Sequence, residues 1–150
     1  MCVMIGIRSK FREEVYAYAD KPAKEAVAQY LNEKWNCHTD ITERCGPDVY
    51  AWRWIRGQWK YSWHECEMRD ILGDDFPFCT IHIPSRKERL KQYTGNGWYW
   101  VVSPNLARAL VIRMLYVFRS PRIEVPNSRE KSGEYFYDVP LFQSKLIELK

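Results

Sequence analysis

The stretch Pro47–Glu67, PDVYAWRWIRGQWKYSWHECE, decides the fold. Two alternating segments, Val49–Ile55 and Trp59–Glu67, flank a short turn around Gly57, the pattern of a β-hairpin. Asp48 opens the first strand, and Glu65 and Glu67 close the second. Side chains alternate along a strand, so Glu65 and Glu67 share a face and Cys66 takes the other. An antiparallel hairpin sets the start of one strand beside the end of the next. Three carboxylates are therefore expected at one end of a small sheet, where their repulsion favours a cation among them.

Outward from the hairpin, Asp20 and Pro22 read as a helix start. Ala23, Ala26, Val27, Tyr30 and Leu31 form the apolar stripe of a helix ending near Trp35, with Glu25 beside the stripe. Met1–Ile7 reads as an edge strand and Cys37–Arg44 as a strand broken at Cys45-Gly46-Pro47. Beyond Glu67, Gly73 and Pro77 mark a loop that carries Asp70, Asp74 and Asp75. Phe78–Ile83 reads as a strand, stopped by Pro84. Ser85-Arg86-Lys87-Glu88 matches a capping box for a helix to about Tyr93. Gly95-Asn96-Gly97 predicts a turn before a strand at Trp98–Val102. Ser103-Pro104 predicts the start of a buried helix over Leu106–Val117, with a strand in Ile112–Phe118 as the alternative. Pro121–Gly133 reads as a surface loop, Tyr135–Val139 as a last short strand, and Leu141–Lys150 as a tail element of open type. Helices interleaved with strands predict a mixed α/β sheet covered on both faces, in αβββαβα order.

At 150 residues the chain is expected to be a single domain, residues 1–150, with a real core. No apolar run approaches a bilayer span, and the N-terminal charge pattern is unlike a secretory signal, so no membrane partner is expected. Five scattered cysteines suggest reduced thiols and a cytoplasmic location. Cys37, His38 and Cys45 match no familiar zinc spacing and read as buried thiols and a surface imidazole. The net charge of +4 hints at an anionic partner. Trp52, Trp54, Trp59 and Trp63 crowd the hairpin. Core and cross-strand packing is the first reading, with Trp52 and Trp54 in the core; base stacking is the second.

Three acids without a His-rich or Cys-rich cluster suit a hard cation, Mg²⁺ or Mn²⁺, better than zinc. Such a cation keeps an open side for phosphate oxygens, as phosphodiester hydrolysis requires. The bland alternative is solvated acids at strand ends. Arg86 and Lys87 sit in the first turn of the expected helix, where the macrodipole disfavours cations by about 0.3–1 kcal/mol. With the free backbone N–H groups they form a candidate phosphate site; two solvated cations are the default against it.

The element order, the literal Pro47-Asp48 and the strand-borne Glu65-Cys66-Glu67 resemble the PD-(D/E)XK nuclease superfamily, over roughly residues 20–117. The segment Ile81-His82-Ile83-Pro84-Ser85-Arg86-Lys87 and the Trp98–Val102 strand are also similar to small members from phages, archaea and mobile elements. The resemblance implies a restriction-endonuclease-like fold and a Mg²⁺-dependent nuclease acting on DNA, with RNA as a second substrate and a homodimer left open. It implies that Asp48 and Glu65 ligate the metal with the Cys66 backbone carbonyl. Glu67 stands where most members carry Lys; it would hold metal or orient water, or Lys87 would supply the missing charge. Glu25 would form an outer part of the site. The competing readings are a nucleic-acid-binding protein without turnover, and a domain whose aromatic hairpin binds protein.

Overall fold

The structure, a computed structural model, describes residues 20–42, 46–69, 79–127 and 130–150, with backbone alone at 127 and 130–132. The Met1–Ile7 strand, Cys45, Asp70, Asp74 and Asp75 lie outside these residues. The fold is mixed α/β. Helix α1 is Lys21–Lys34, and the strands are β1 His38–Ile41, β2 Val49–Ile55, β3 Gln58–Met68, β4 Thr80–Pro84, β5 Gly97–Val102 and β6 Arg108–Arg113. A 3-10 helix, Ser85–Tyr93, joins β4 to β5. After β6 come α2 Met114–Arg119, β7 Arg122–Asn127, β8 Glu130–Pro140 and β9 Ser144–Glu148.

The main sheet has six strands in the order β1-β2-β3-β5-β6-β9, and β4-β8-β7 form a second sheet. Among the described strands only the β3–β5 pair is parallel; every other pair is antiparallel. Parallel neighbours need a crossover, and the segment containing β4 and the 3-10 helix provides it. The hairpin closes as its sequence predicts: Ile55 pairs with Gln58, leaving Arg56 and Gly57 as a two-residue turn with φ of 49° and 81°. Two positive φ values are the mark of the type I′ turn, whose twist suits paired strands.

Strand alternation divides the molecule into two cores. On one face, Val49, Ala51, Cys66, Trp100 and Val102 pack under α1 with Ala23, Val27 and Leu31. On the other, Tyr99, Val101, Leu110 and Ile112 pack against Ile81 and Ile83 of β4, Tyr137 and Val139 of β8, and Val117 of α2. The second face is thus covered by a small sheet and short helices, not by the long helix expected there. Among the described residues that cover spans only part of the face, and Trp54, Trp59 and Tyr61 in the outer half of the β2–β3 hairpin are exposed.

Several local expectations are corrected. The segment expected as a helix over Leu106–Val117 is β6 followed by the short α2, because β-branched Val111 and Ile112 find partners in both β5 and β9. Ser103 closes a turn instead of starting a helix: its hydroxyl donates to Asn105 Oδ1 and accepts from the Arg108 N–H. No capping box forms at Ser85; the residue at the helix boundary is Pro84, without a side-chain cap. The expected loop Pro121–Gly133 is β7 and the start of β8, with Pro126 tolerated because β7 is an edge strand. Trp54 is not core but 58% exposed, and Trp52 is only half-buried.

Candidate active site

Pro47 determines what happens where β2 begins. The β2–β3 ladder ends at Val49↔His64, and continuing its register sets Pro47 opposite Cys66. Pro has no N–H to give the Cys66 carbonyl, and its own carbonyl already accepts from the Thr42 hydroxyl at 2.6 Å. The Cys66 N–H turns instead to Asp48 Oδ2 at 2.8 Å. A residue's N–H and C=O leave a strand on the same side, so the Cys66 carbonyl is directed to the edge where Asp48 stands. Its thiol lies under α1, where burial, then the Asp48 charge, push its pKa well above the usual value. The sulfur stays protonated, and only the backbone of Cys66 addresses the site.

Glu65 and Glu67 emerge on the opposite face, as alternation requires. Glu65 is 2% exposed. Its Oε1 takes the Lys87 Nζ at 2.6 Å and lies 3.7 Å from Arg89 Nη2. Its Oε2 is buried with no hydrogen-bond partner among the described residues. Burial, then the Asp48 charge, hold this carboxyl above the usual range against the pull of Lys87 and Arg89. Glu67 is ion-paired to Arg69 and accepts from the Tyr99 hydroxyl at 2.6 Å. Burial, then Glu67, raise the Tyr99 pKa far up, so Tyr99 is a neutral donor.

From the α1 face, Lys24 Nζ lies 3.2 Å from Asp48 Oδ1. Asp20, half-buried at the start of the helix, feels the same charges: burial, then Asp48, raise its pKa against Lys24 and Lys87. Four acids (Asp20, Asp48, Glu65, Glu67) and four cations (Lys24, Arg69, Lys87, Arg89) are thereby interleaved. Desolvation makes an unpaired charge here expensive, and the interleaving answers that cost.

Of the residues expected at the site, Asp48, Glu65, Glu67, Cys66 and Lys87 come to one end of β3. The three carboxylates do not form a cage: each keeps its own cation, and no three His, Cys, Asp or Glu groups among the described residues gather as a metal cluster. Lys87 arrives although β4 belongs to the second sheet and is not a neighbour of β3. It is buried against Glu65, while Arg86 stays exposed. Glu25 faces away: it pairs with Lys21 at 3.9 Å and lines a groove with Gln29, Leu106 and Leu149. Asp20 and Lys24 take the position on α1 that was expected of Glu25.

Lys24 carried a readable signal, since a lysine directly beside Ala23 in a stripe that buries Ala23, Val27, Ala28 and Leu31 must find a counter-charge. Arg69 stands two residues beyond Glu67 and shares its face by the same alternation, whereas Tyr99 depends on the β3–β5 register, which no local pattern reveals. No family model matches the chain, and no curated protein or solved structure matches it.

Proposed function

We propose that the protein is a Mg²⁺- or Mn²⁺-dependent nuclease that hydrolyses phosphodiester bonds in DNA, built on a restriction-endonuclease-like core. The observation that carries this reading is the buried Lys87–Glu65 pair, whose carboxylate keeps one oxygen without a hydrogen-bond partner among the described residues and feels the Asp48 charge. The strand sequence β1-β2-β3-β5-β6, with its single parallel pair and its crossover, supports the core assignment.

The donor set fits a hard divalent cation. Mg²⁺ binds proteins through one or two carboxylates and keeps its remaining positions for water and phosphate oxygens, so it needs no cage of three acids. Asp48, Glu65 and the Cys66 carbonyl would hold it, and it would supply charge neutralisation and a more acidic water. For that role Lys24 would give up its contact with Asp48, and Lys87 would share Glu65. Lys87 then presents a positive charge beside the scissile phosphate, where it steadies the charge that develops on the phosphoryl oxygens. Glu67 is held by Tyr99 and Arg69, which makes it a positioned acceptor and leaves the cationic role to Lys87.

The test separates catalysis from folding. Breaking a buried pair by removing one partner costs about 3–5 kcal/mol, whereas replacing both by neutral groups of similar volume is often tolerated. Glu65→Gln combined with Lys87→Met should therefore retain the wild-type urea midpoint more nearly than either single change. It should lose all metal-dependent cleavage of plasmid and single-stranded DNA. Cleavage that persists in the folded double variant, or a wild type inert with both metals, overturns the proposal. A second reading, nucleic-acid binding without turnover, is favoured by the individual cation that each acid already holds. DNA binding without cleavage would establish it.

A further inference from the structure

The outer half of the β2–β3 hairpin, left uncovered by the other described elements, carries a ladder of aromatic side chains on the same face as Glu65 and Glu67. The register makes all three of its rungs aromatic pairs: Tyr50 with Trp63, Trp52 with Tyr61, and Trp54 with Trp59. The rings touch one another at centroid separations of 5.3 Å for Tyr50–Trp63, 5.9 Å for the stacked Tyr50–Tyr61 and 5.2 Å for Trp54–Trp59. Cross-strand packing accounts for the contacts, but not for the exposure. Trp54, Trp59 and Tyr61 are 58%, 46% and 41% exposed, a contiguous patch of a kind that soluble proteins keep for partners.

One end of the ladder abuts the acid–lysine site. Trp63 is two residues before Glu65, and Tyr93 at the end of the 3-10 helix stacks on it at 5.6 Å and 29°. That helix supplies Arg86, Lys87, Arg89 and Lys91 against a single acid, Glu88. Arg86, Arg89 and Lys91 are exposed, and Arg56 adds a further exposed cation at the hairpin tip.

We propose that this ladder is a stacking platform for an unpaired DNA strand, whose phosphates follow the cationic helix into the acid–lysine site. The inference rests on the nuclease reading and adds the form of the substrate. Spacing argues for unpaired bases. Same-face residues along a strand are about 6.6 Å apart, nearly twice the 3.4 Å rise per base of a duplex strand. Bases could engage successive rungs only when unstacked from each other, and along its length a duplex hides the π-faces that the rings would meet. Exposed rings accept any base, so the platform selects strandedness and not sequence.

Fluorescence anisotropy in EDTA, which prevents turnover, tests this with a labelled oligothymidylate of about 15 nucleotides and a duplex of equal length. The single strand should bind at least about tenfold tighter than the duplex. Trp54→Ala with Trp59→Ala, both at exposed positions, should weaken single-strand binding by about tenfold or more without moving the urea midpoint of unfolding. Equal affinity in the variant, or tighter binding of the duplex, overturns the platform; if the wild type still cleaves DNA, the nuclease reading survives that result. Absence of both binding and cleavage removes both. A wild-type dimer that the variant converts to monomer in sedimentation would assign the ladder to a second copy of the chain and overturn the proposal.

Discussion

His64 shows how completely a buried polar residue can be specified by its neighbours. Its ring is fully buried. The Trp100 indole N–H, which can only donate, points at His64 Nδ1 at 2.9 Å, so that nitrogen must be the acceptor. The proton of the neutral ring therefore sits on Nε2 and faces the Ser62 hydroxyl at 2.8 Å. Protonation would set two donors against each other in a desolvated site, and burial lowers the pKa from 6.5 to about 3. The sign of the linkage follows. Below pH 6.5 the unfolded chain binds a proton that the folded protein refuses, so this contribution to stability falls as the pH falls from 6.5 towards 3. The slope is at most about 1.4 kcal/mol per pH unit. Urea midpoints measured across that window should fall more steeply in the wild type than in His64→Gln. Parallel pH profiles would show that the ring already titrates normally in the folded state. The raised carboxyls of Asp20 and Glu65 act in the opposite sense, but they are common to both proteins and drop out of the difference.

The 3-10 helix Ser85–Tyr93 does at the level of an element what an α-helix would not. With three residues per turn, side chains three apart eclipse one another, so Lys87, Leu90 and Tyr93 form one inward row. Lys87 meets Glu65, Leu90 is buried, and Tyr93 stacks on Trp63. At 3.6 residues per turn, Tyr93 would be carried well round the helix from Lys87. The chain then returns into β5 through Gly97, where a Cβ would fall on the Tyr93 carbonyl and on the Met114 sulfur of α2. Gly97→Ala should cost about 1–3 kcal/mol through this overpacking. Gly95→Ala, which meets nothing within 4 Å, should be neutral or slightly stabilising. Equal urea midpoints for the two variants would refute the close approach. These elements also mark the limit of what the sequence conveys. The hairpin was legible because period-two alternation and a Gly turn agree over the whole of Val49–Ile55 and Trp59–Glu67. A helical segment at Ser85 was legible, but its period was not. Leu106–Val117 is apolar nearly all round, so it offers no periodicity to separate strand from helix, and its β-structure comes from two neighbouring strands. In Arg122–Asn127 the Pro126 signal outweighed the alternation of Ile123 and Val125, as it should for any strand but an edge.

For the molecule as a whole, the acid–lysine site is a seam where two differently covered faces of one sheet meet, and its charges link folding to pH and, on the proposed function, to metal. No helix among the described residues is long and apolar enough to cross a membrane. Glu65 and Asp20 both have raised pKa values, mainly through burial and then through Asp48. The folded state therefore holds protons that the unfolded chain has released. Stability declines as the pH rises from the ordinary values of 3.8 for Asp20 and 4.5 for Glu65 through the raised ones. On the proposed function, a divalent cation at Asp48 and Glu65 would favour the ionised form of Glu65 and oppose that decline. At a concentration one hundred times its Kd, a ligand of the folded state adds about 2.7 kcal/mol. At roughly 2–4 °C per kcal/mol for a chain of this size, the melting temperature should rise by about 5–11 °C. Because protons and metal compete for Glu65, the rise should be absent where the carboxyl is protonated and should grow with pH through its raised pKa. Thermal melts with Mg²⁺, Mn²⁺ or EDTA, taken at several pH values, read this directly. Asp48→Asn with Glu65→Gln should abolish both the metal-induced rise and its pH dependence. A rise that is independent of pH, or that survives in this variant, would place the cation elsewhere on the protein.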